Sequence, residues 1–541
     1  MLAQTGKGLC LRSVCDAVRQ NGAWLQMGTD YSRLHRLHES AQHHPLTFEQ
    51  TLSLNNTLIA LVPLLLSVAA IALWRQSALR AGLLGIVGTV GIILTSSSYQ
   101  LSLPSAVQSL STGAYNTLNI SLVLLGGVSL YRVLEKSGAL QEIANSIIAA
   151  IAEPVHRLLA LVLGASVFFE SATGFGVGIV VVAPLYIALG YAPLQAAVLA
   201  LLGQCAVPWG ALSVGTVLGA EISGIPEARL GLLTAVFNFP ITALFGFAAL
   251  RVAGLLSRRA IRFLVLYAFM LSVLLWLCTL FVGVELAGCL AGLFVVIFAV
   301  AATRSKRPEP ESMSVQKLPL LAFVPFAALM LMLFVTRLVP GVGKELKGIT
   351  VPVTHTHSIA LFYHAGFLLL LSAMVGLLVF PAARSGFKTL LATVTRQWML
   401  ATLAVASFIV FGQLMSDADM TGQIARSIAS VSPVQYLFMV PVIGALGGFL
   451  TASNAASNAL FMTLQTTAAT ELNLPADVVA ASQNASGSNV TLASPGRLIF
   501  AASVIGEAGA EATLLSRVAP VTIAGVVSAS AITYLMATYL V

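Results

Sequence analysis

The chain has 541 residues, of which 58% are hydrophobic and only 9% are charged. Soluble proteins use about 25% charged residues, so this composition excludes an ordinary soluble domain and is typical of a membrane protein. The formal net charge of +8 does not indicate a nucleic-acid-binding surface, because Lys and Arg are concentrated in short connectors between apolar runs.

The first 50 residues are polar and lack the basic start and apolar core of a signal peptide. We expect residues 1–50 to form a disordered tail outside the membrane domain. A translation start at Met27 is the alternative, and the sequence leaves open whether the tail belongs to the mature protein.

Apolar runs of the length needed to cross a bilayer, about 18–20 residues, recur along the rest of the chain. They are continuous rather than alternating, which predicts membrane helices and not a β-barrel. We therefore predict an all-α polytopic membrane protein with about 12–14 membrane segments. The predicted spans are 57–74, 82–98, 116–133, 178–190, 195–219, 230–250, 263–281, 284–301, 318–338, 358–380, 398–415, 435–450 and 518–540.

The basic connectors predict a topology with an internal repeat. Arg75, Arg132, Arg251 and the linker 304–317 are placed in the cytoplasm by the positive-inside rule. The two halves of the chain then enter the membrane from opposite faces, which is the condition for inverted-topology repeats. The predicted division is a first transport repeat at 51–303, a cytoplasmic linker at 304–317 and a second transport repeat at 318–541.

Two polar segments interrupt the apolar pattern at matched positions in the two halves. They read "ESATGFGVG" at 170–178 and "TASNAASNA" at 451–459. Unwound backbone at membrane depth is tolerated only where it is buried in protein or lines a wet cavity. We predict a re-entrant hairpin or broken helix in each half, meeting near the midplane, where half-helix N-termini suit a small carboxylate. The alternative is that these small residues only let helices pack closely.

Glu170 is the candidate proton carrier, because burial favours the protonated form of a carboxyl group. Its alternative role is to tie two helices together by hydrogen bonds. Arg497 is the candidate for binding a substrate carboxylate through two parallel hydrogen bonds. Its alternative is to extend to the membrane interface, in which case backbone N–H groups near 173–176 and 453–458 bind the anion.

Other polar side chains in these segments are candidates for contacts with the substrate, although each also suits helix packing. They are Ser171, Thr173, Ser453, Asn454, Ser457 and Asn458, with Gln204, Gln483 and Asn484 as second-tier candidates. His355, His357 and His364 are close in sequence but lack a carboxylate or Cys companion, so we predict no metal site.

Two stretches resemble the signatures of the L-lactate permease family. The segment 447–511, beginning "GGFLTASNAASNALF", resembles its C-terminal signature, and "FFESATGFG" together with 183–220 resembles its N-terminal signature. The resemblance implies proton-coupled import of lactate or a related 2-hydroxymonocarboxylate, such as glycolate, across the bacterial inner membrane. It also implies kinship with a wider superfamily of carriers that have inverted repeats with re-entrant hairpins and often form homodimers.

The resemblance also assigns residues to the site. Glu170, Gly174, Phe175 and Gly176 fall on the acidic glycine-rich motif, Thr451, Ser453, Ser457 and Asn458 on a "TGSDTSSN" pattern, and Ser494 and Pro495 on an "SP" pair. The sequence departs from the family at Asn454, where Asp is usual, and at Thr491, where Lys is common. Gly178 replaces a Pro and Arg497 replaces a neutral residue. Coupling to Na⁺ instead of protons is therefore the alternative.

An enzyme is the competing class of function. The sequence has no nucleophile–base pair, no metal ligands at helical spacing and no Walker A motif. We therefore predict a secondary transporter that is not an enzyme and needs no cofactor beyond the co-transported H⁺, with Na⁺ left open. Its expected partners are a small monocarboxylate and the lipid bilayer, and not nucleic acid.

Overall fold

The computed structural model describes residues 48–304, 320–354, 357–428 and 432–539. Residues 1–47 of the predicted tail and residues 305–317 of the predicted linker lie outside the described residues. His355 is also outside the described residues.

Helices form almost all of the regular structure in the described residues, and they are numbered here in chain order. The first set is α1 Phe48–Ala72, α2 Ala78–Thr95, α3 Leu103–Ser137, α4 Ala139–Ala150, α5 Pro154–Thr173, α6 Val177–Ala188, α7 Pro193–Leu202, α8 Gly210–Ser223, α9 Glu227–Val252, α10 Arg258–Phe281 and α11 Val284–Arg304. The second set is α12 Leu320–Leu338, α13 Pro340–Gly348, α14 Ala365–Val379, α15 Pro381–Arg384, α16 Phe387–Asp417, α17 Met420–Ile428, α18 Pro433–Thr451, α19 Asn454–Glu471, α20 Ala476–Val490, α21 Pro495–Val504 and α22 Glu511–Tyr539.

Short elements fill the connections between these helices. Strands β1 (Val351–Pro352) and β2 (Ser358–Ile359) form an antiparallel pair. Single 3₁₀ turns lie at Val207–Trp209, Leu361–Tyr363 and Thr491–Ala493.

The predicted all-α polytopic membrane fold is confirmed. Among the described residues, 11 helices are long and apolar enough to cross a membrane, or up to 12 if the bent pair of α7 and Val207–Ser223 is one span. The count of 11 is just below the predicted 12–14 segments, and the count of 12 is at the lower end of that range. The predicted span at 195–219 is not one continuous helix, because the chain bends by 68° between α7 and the segment Val207–Ser223.

The hydropathy pattern did not identify α5 as a membrane span, because this helix is surrounded by protein rather than by lipid. In its most apolar window 89% of the residues are buried, against 22% in α2. A helix enclosed by protein does not need a uniformly apolar surface, so Ser and Glu side chains are allowed on it. The region 139–176, in which the sequence predicts no span, therefore contains a helix long enough to cross a membrane.

The order of helices in the first half recurs in the second. The series from α3 to α9 corresponds member by member to the series from α16 to α22. Both series have a break after the third helix and a 3₁₀ turn between the fifth and sixth. The first members begin at 103 and 387 and the last at 227 and 511, so the sequence offset is 284 at both ends of the series; it falls to 277 at α6 and α19, which begin at 177 and 454. This order supports a repeat, while the predicted repeat boundaries and their inverted topology stay predictions.

Close helix packing in this fold depends on glycine at particular contacts. Gly448 of α18 lies directly against α20, where a Cβ atom would come within 1.8 Å of the Gly487 carbonyl oxygen. Gly91 of α2 has no atom within 4 Å of its Cβ position.

We expect Gly448→Ala to destabilise the protein by about 1–3 kcal/mol, because the two backbones must separate to admit a methyl group. Gly91→Ala is the matched control and should be neutral or stabilising by up to about 1 kcal/mol, since Ala is the better helix former. Thermal unfolding in detergent measures both. Equal effects of the two substitutions would contradict the packing described here.

Candidate functional site

The first break in the helical pattern is a run of left-handed backbone between α5 and α6. Gly174, Phe175 and Gly176 have φ angles of 73°, 60° and 76°. Glycine takes this conformation at little cost, whereas Phe175 takes it against its preference. Such strained backbone persists only where surrounding contacts hold it, and it is often found at functional sites.

The second break lies between α18 and α19 and is built differently. Ala452 has a left-handed φ of 57°, and Ser453 then caps α19, its Oγ accepting a hydrogen bond from the Ala456 N–H at 3.3 Å. Thr451 Oγ1 donates to the carbonyl oxygens of Gly447 and Ser453 at 2.8 and 2.9 Å. Hydroxyl groups thus replace the backbone partners that the broken helix loses.

The helix α8 lies between the two breaks. Its first turn is left-handed at Ala211, Leu212 and Ser213, and a Cβ at Gly174 would lie 2.6 Å from the Cβ of Ala211. One turn further on, a Cβ at Gly215 would lie 2.5 Å from Asn454 Nδ2. The segments 170–178 and 451–458 are therefore brought to the same helix.

A buried ion pair connects the first break to the second half of the chain. Nη1 and Nη2 of Arg497 both donate to Glu170 Oε1 at 3.2 Å, and the Gly176 N–H donates to the same oxygen at 3.3 Å. Nη1 of Arg497 also donates to Gln204 Oε1. The side chains of Arg497 and Glu170 are only 12% and 4% exposed. Arg497 thus points into the protein toward Glu170 and not to the membrane interface.

The start of α21 positions this arginine. Ser494 caps the helix, its Oγ accepting from the Arg497 N–H at 3.3 Å, and Pro495 occupies the first turn. Proline is favoured at this position because its missing N–H has no partner there anyway. Arg497 therefore lies in the first turn of a short helix that begins at the site.

Polar atoms remain unpaired around the ion pair. Within the described residues, Glu170 Oε2, Gln204 Nε2 and Ser166 Oγ are buried and have no hydrogen-bond partner. Ser166 is one turn before Glu170 on α5, and a Cβ at Gly178 would lie 2.7 Å from Gln204 Nε2. A buried polar atom without a partner costs about 1–3 kcal/mol, so the environment of Glu170 favours a ligand or proton that pairs with these atoms.

A neutral amide network surrounds the second break. Asn484 Oδ1 accepts from the side-chain amides of Asn454 and Asn458, each at 2.9 Å. Asn484 Nδ2 donates to the hydroxyls of Thr216 and Thr234, each at 3.0 Å. The network therefore joins α19 and α20 to α8 and α9 of the other half.

Several predicted residues have a structural role in this arrangement. Thr173 Oγ1 donates to the Phe169 carbonyl oxygen of its own helix at 2.7 Å. Ser457 Oγ donates to the Gly444 carbonyl oxygen at 3.3 Å and accepts from Gln483 Nε2 at 3.1 Å. Ser171 lies against α11, where a Cβ at Gly288 would come within 2.2 Å of its Oγ.

Sequence reasoning did not identify the network partners Thr216 and Thr234. Their signal was present, because each is a polar residue inside an otherwise apolar helix. Without knowing which helix faces were covered by protein, such residues could not be separated from ordinary packing. In the described part of the chain, no group of three or more His, Cys, Asp or Glu residues is arranged to hold a metal ion.

Comparison with known proteins adds independent information. A family model described as L-lactate permease matches residues 56–351 and 344–541. An L-lactate permease of Streptococcus iniae is 25% identical over 77% of this chain and 91% of its own length. The glycolate permease GlcA of Escherichia coli K12 is 22% identical over 85% of this chain and 91% of its own length. The solved structure of Neisseria gonorrhoeae MtrF, described as an antimetabolite efflux pump, has 14% identity and a TM-score of 0.43, covering 87% of this chain and 97% of that one.

Because the ion pair is buried, we expect substitutions at Glu170 and Arg497 to have non-additive effects on the free energy of unfolding. Arg497→Gln leaves a buried carboxylate without its counter-charge, so we expect a loss of about 3–5 kcal/mol. Adding Glu170→Gln should recover much of this loss, because the unpaired charge is then gone. Thermal unfolding of the single and double variants in detergent measures the coupling.

The exposed pair Arg426–Asp419, with side chains 45% and 66% exposed, supplies the control. Arg426→Gln should cost only about 0–1 kcal/mol. Additive effects of Glu170→Gln and Arg497→Gln would show that the two groups do not interact.

Proposed function

The chain belongs to the L-lactate permease family, and from this premise we propose that it imports L-lactate or a related small 2-hydroxymonocarboxylate, such as glycolate, by proton symport across the bacterial inner membrane. The observation that carries the proposal is the buried Glu170–Arg497 pair at the meeting point of the two halves. It supplies one group suited to a carboxylate and one suited to a proton.

Arg497 is the proposed binding residue for the substrate carboxylate. Its guanidinium group presents donors in a planar fork that matches a carboxylate. Both of its Nη atoms now contact a single oxygen of Glu170, so a substrate carboxylate that approaches Arg497 competes with Glu170 for the same donors.

This competition links substrate binding to proton binding. When the substrate takes Arg497, Glu170 is left buried without a counter-charge, which costs several kcal/mol if it stays ionised. Protonation of Glu170 removes that cost, and its unpaired Oε2 atom offers a position for the proton. The substrate anion and one proton therefore enter together, and their release restores the ion pair.

The two breaks lie where movement between the halves would let substrate and proton reach the ion pair from either side of the membrane. Alternating access in transporters with repeated halves proceeds by movement of one bundle relative to the other around a central site. Here the ion pair, α8 and the amide network join the two halves. Opening at α8 toward one face or the other would expose Arg497 and Glu170 to that side in turn.

Sodium coupling is the alternative. Neutral Asn and Ser oxygens are compatible with a monovalent cation, but Asn454 brings no negative charge and lies at the start of α19, where the helix dipole is positive. Glu170 is a buried titratable group already paired with the proposed carboxylate-binding residue, which favours the proton.

Uptake of labelled L-lactate and glycolate into proteoliposomes tests the proposal. We expect accumulation when the outside is more acidic and none from a Na⁺ gradient alone. Glu170→Gln should abolish accumulation driven by the pH gradient while leaving substrate exchange, because the variant binds substrate without taking up a proton. The exposed Glu142 supplies the control variant Glu142→Gln, which should behave as wild type.

Dependence of uptake on Na⁺ alone would rule out proton symport. Accumulation by Glu170→Gln equal to that of wild type would remove Glu170 from the coupling mechanism. Absence of uptake of both acids under every gradient would contradict the proposed substrate class.

We also expect Arg497→Gln to raise the KM for L-lactate by about 10–100-fold, since a hydrogen bond to a charged group contributes about 1.5–3 kcal/mol. Arg497→Lys keeps the charge but loses the planar fork, and should have an intermediate KM. Measuring KM on protein that elutes as a single species in detergent separates binding from folding. An unchanged KM in both variants would assign the carboxylate to another donor.

A further inference from the structure

We propose that the amide oxygens of Asn454 and Asn458 accept a hydrogen bond from the 2-hydroxyl group of the substrate. These residues would then distinguish a 2-hydroxy acid from the same acid without the hydroxyl. The inference rests on the proposed function and deepens it by assigning the part of the site that recognises the hydroxyl.

The hydrogen bonds around Asn484 fix the orientation of both amides. Asn454 Nδ2 and Asn458 Nδ2 each donate to Asn484 Oδ1 at 2.9 Å, and Asn458 Nδ2 also donates to the Gly215 carbonyl oxygen at 2.9 Å. Turning either amide over would place two oxygens against each other. The oxygens of Asn454 and Asn458 must therefore point away from Asn484.

Those two oxygens have no donor of their own. Asn454 and Asn458 are 7% and 0% exposed, and within the described residues neither Oδ1 atom has a hydrogen-bond partner. The nearby donors are already used: Asn484 Nδ2 bonds to Thr216 and Thr234, and Thr216 Oγ1 donates to the Pro208 carbonyl oxygen at 2.6 Å. This described network therefore has two unpaired acceptors, Asn454 Oδ1 and Asn458 Oδ1, against one unpaired N–H, the second hydrogen of Asn454 Nδ2.

Unpaired acceptors favour a ligand group that can donate a hydrogen bond. A carboxylate oxygen is an acceptor and is repelled by an amide oxygen, whereas a hydroxyl group can donate to it. The proposed substrates carry both kinds of group on adjacent carbons. Their carboxylate suits Arg497, and their hydroxyl suits the Asn oxygens.

The position of the two residues fits this role. Asn454 is the first residue of α19 and Asn458 lies one turn later on the same face, at the second break. Both pack directly against α8 where that helix has glycine: a Cβ at Gly215 would lie 2.5 Å from Asn454 Nδ2, and one at Gly219 would lie 3.0 Å from Asn458 Nδ2. The start of the same helix approaches the ion pair, since a Cβ at Gly210 would lie 3.8 Å from Glu170 Oε1. One helix thus borders both the charged and the neutral groups.

A comparison of substrates with and without the hydroxyl tests the inference. Wild-type protein in proteoliposomes should prefer L-lactate over propionate, and glycolate over acetate, by about 10–100-fold in kcat/KM, because the unsubstituted acids leave buried acceptors unpaired. Asn454→Leu and Asn458→Leu should each reduce this ratio about tenfold or more by raising the KM for the hydroxy acid. Uptake of propionate should change little, which also reports that the variant is folded.

Gln465→Leu is the matched control. Gln465 is a fully buried amide on the same helix, but its groups are paired with the Val440 carbonyl oxygen, Gln483 and Tyr436. Its loss removes a buried amide without touching the spare acceptors, so the preference for the hydroxyl should remain at the wild-type value.

The outcomes separate this inference from the proposed function. Equal transport of lactate and propionate by wild type, or a wild-type preference that persists in both Asn variants, would overturn the inference and leave the transport of monocarboxylates standing. A ratio that falls as much in Gln465→Leu as in the Asn variants would also overturn it. Failure of wild type to transport any of the four acids would overturn both.

Discussion

A buried carboxylate that must find a positive partner organises this structure. Glu170 and Arg497 are separated by 327 positions in the chain, and neither can remain charged in a low-dielectric interior without the other. Their pairing brings the break after α5 to the start of α21, and so connects the first half of the protein to the second. Helix α8 also lies close to both breaks, which is consistent with the Glu170–Arg497 ion pair joining the two halves at this place.

Left-handed backbone makes the contact possible. The runs at 174–176 and 211–213 have positive φ angles, which interrupt the helical backbone within the protein interior. The glycines adopt positive φ angles at little conformational cost. The non-glycine residues are strained in this conformation, and tertiary contacts hold them in it. Backbone with these angles would be unstable against lipid, so the breaks occur where protein covers the helices, as it does around α5.

The two breaks differ in chemistry although they occupy equivalent places in the order of helices. The first contributes a carboxylate paired with an arginine from the other half, and the second contributes neutral amides and hydroxyls. In the proposed mechanism, Glu170 binds the proton and Arg497 binds the substrate carboxylate. Asn454 and Asn458 bind the substrate hydroxyl. A site with the same charged group on both sides would place like charges close together, which is unfavourable at this depth.

The sequence by itself determined the all-helical membrane class, the location of both polar breaks and the residues that bring charge to them, because apolar runs of spanning length and buried charges are local features that hydropathy reports directly. It did not identify α5 as a full-length helix, nor the bend before α8, since hydropathy measures the preference for lipid and both segments are enclosed by protein. Only the tertiary structure decided that Arg497 pairs with Glu170, and that Thr216 and Thr234 from one half complete the amide network of the other. Such pairings join residues more than 240 positions apart, and a contact of that kind depends on how helices pack, which no local pattern encodes.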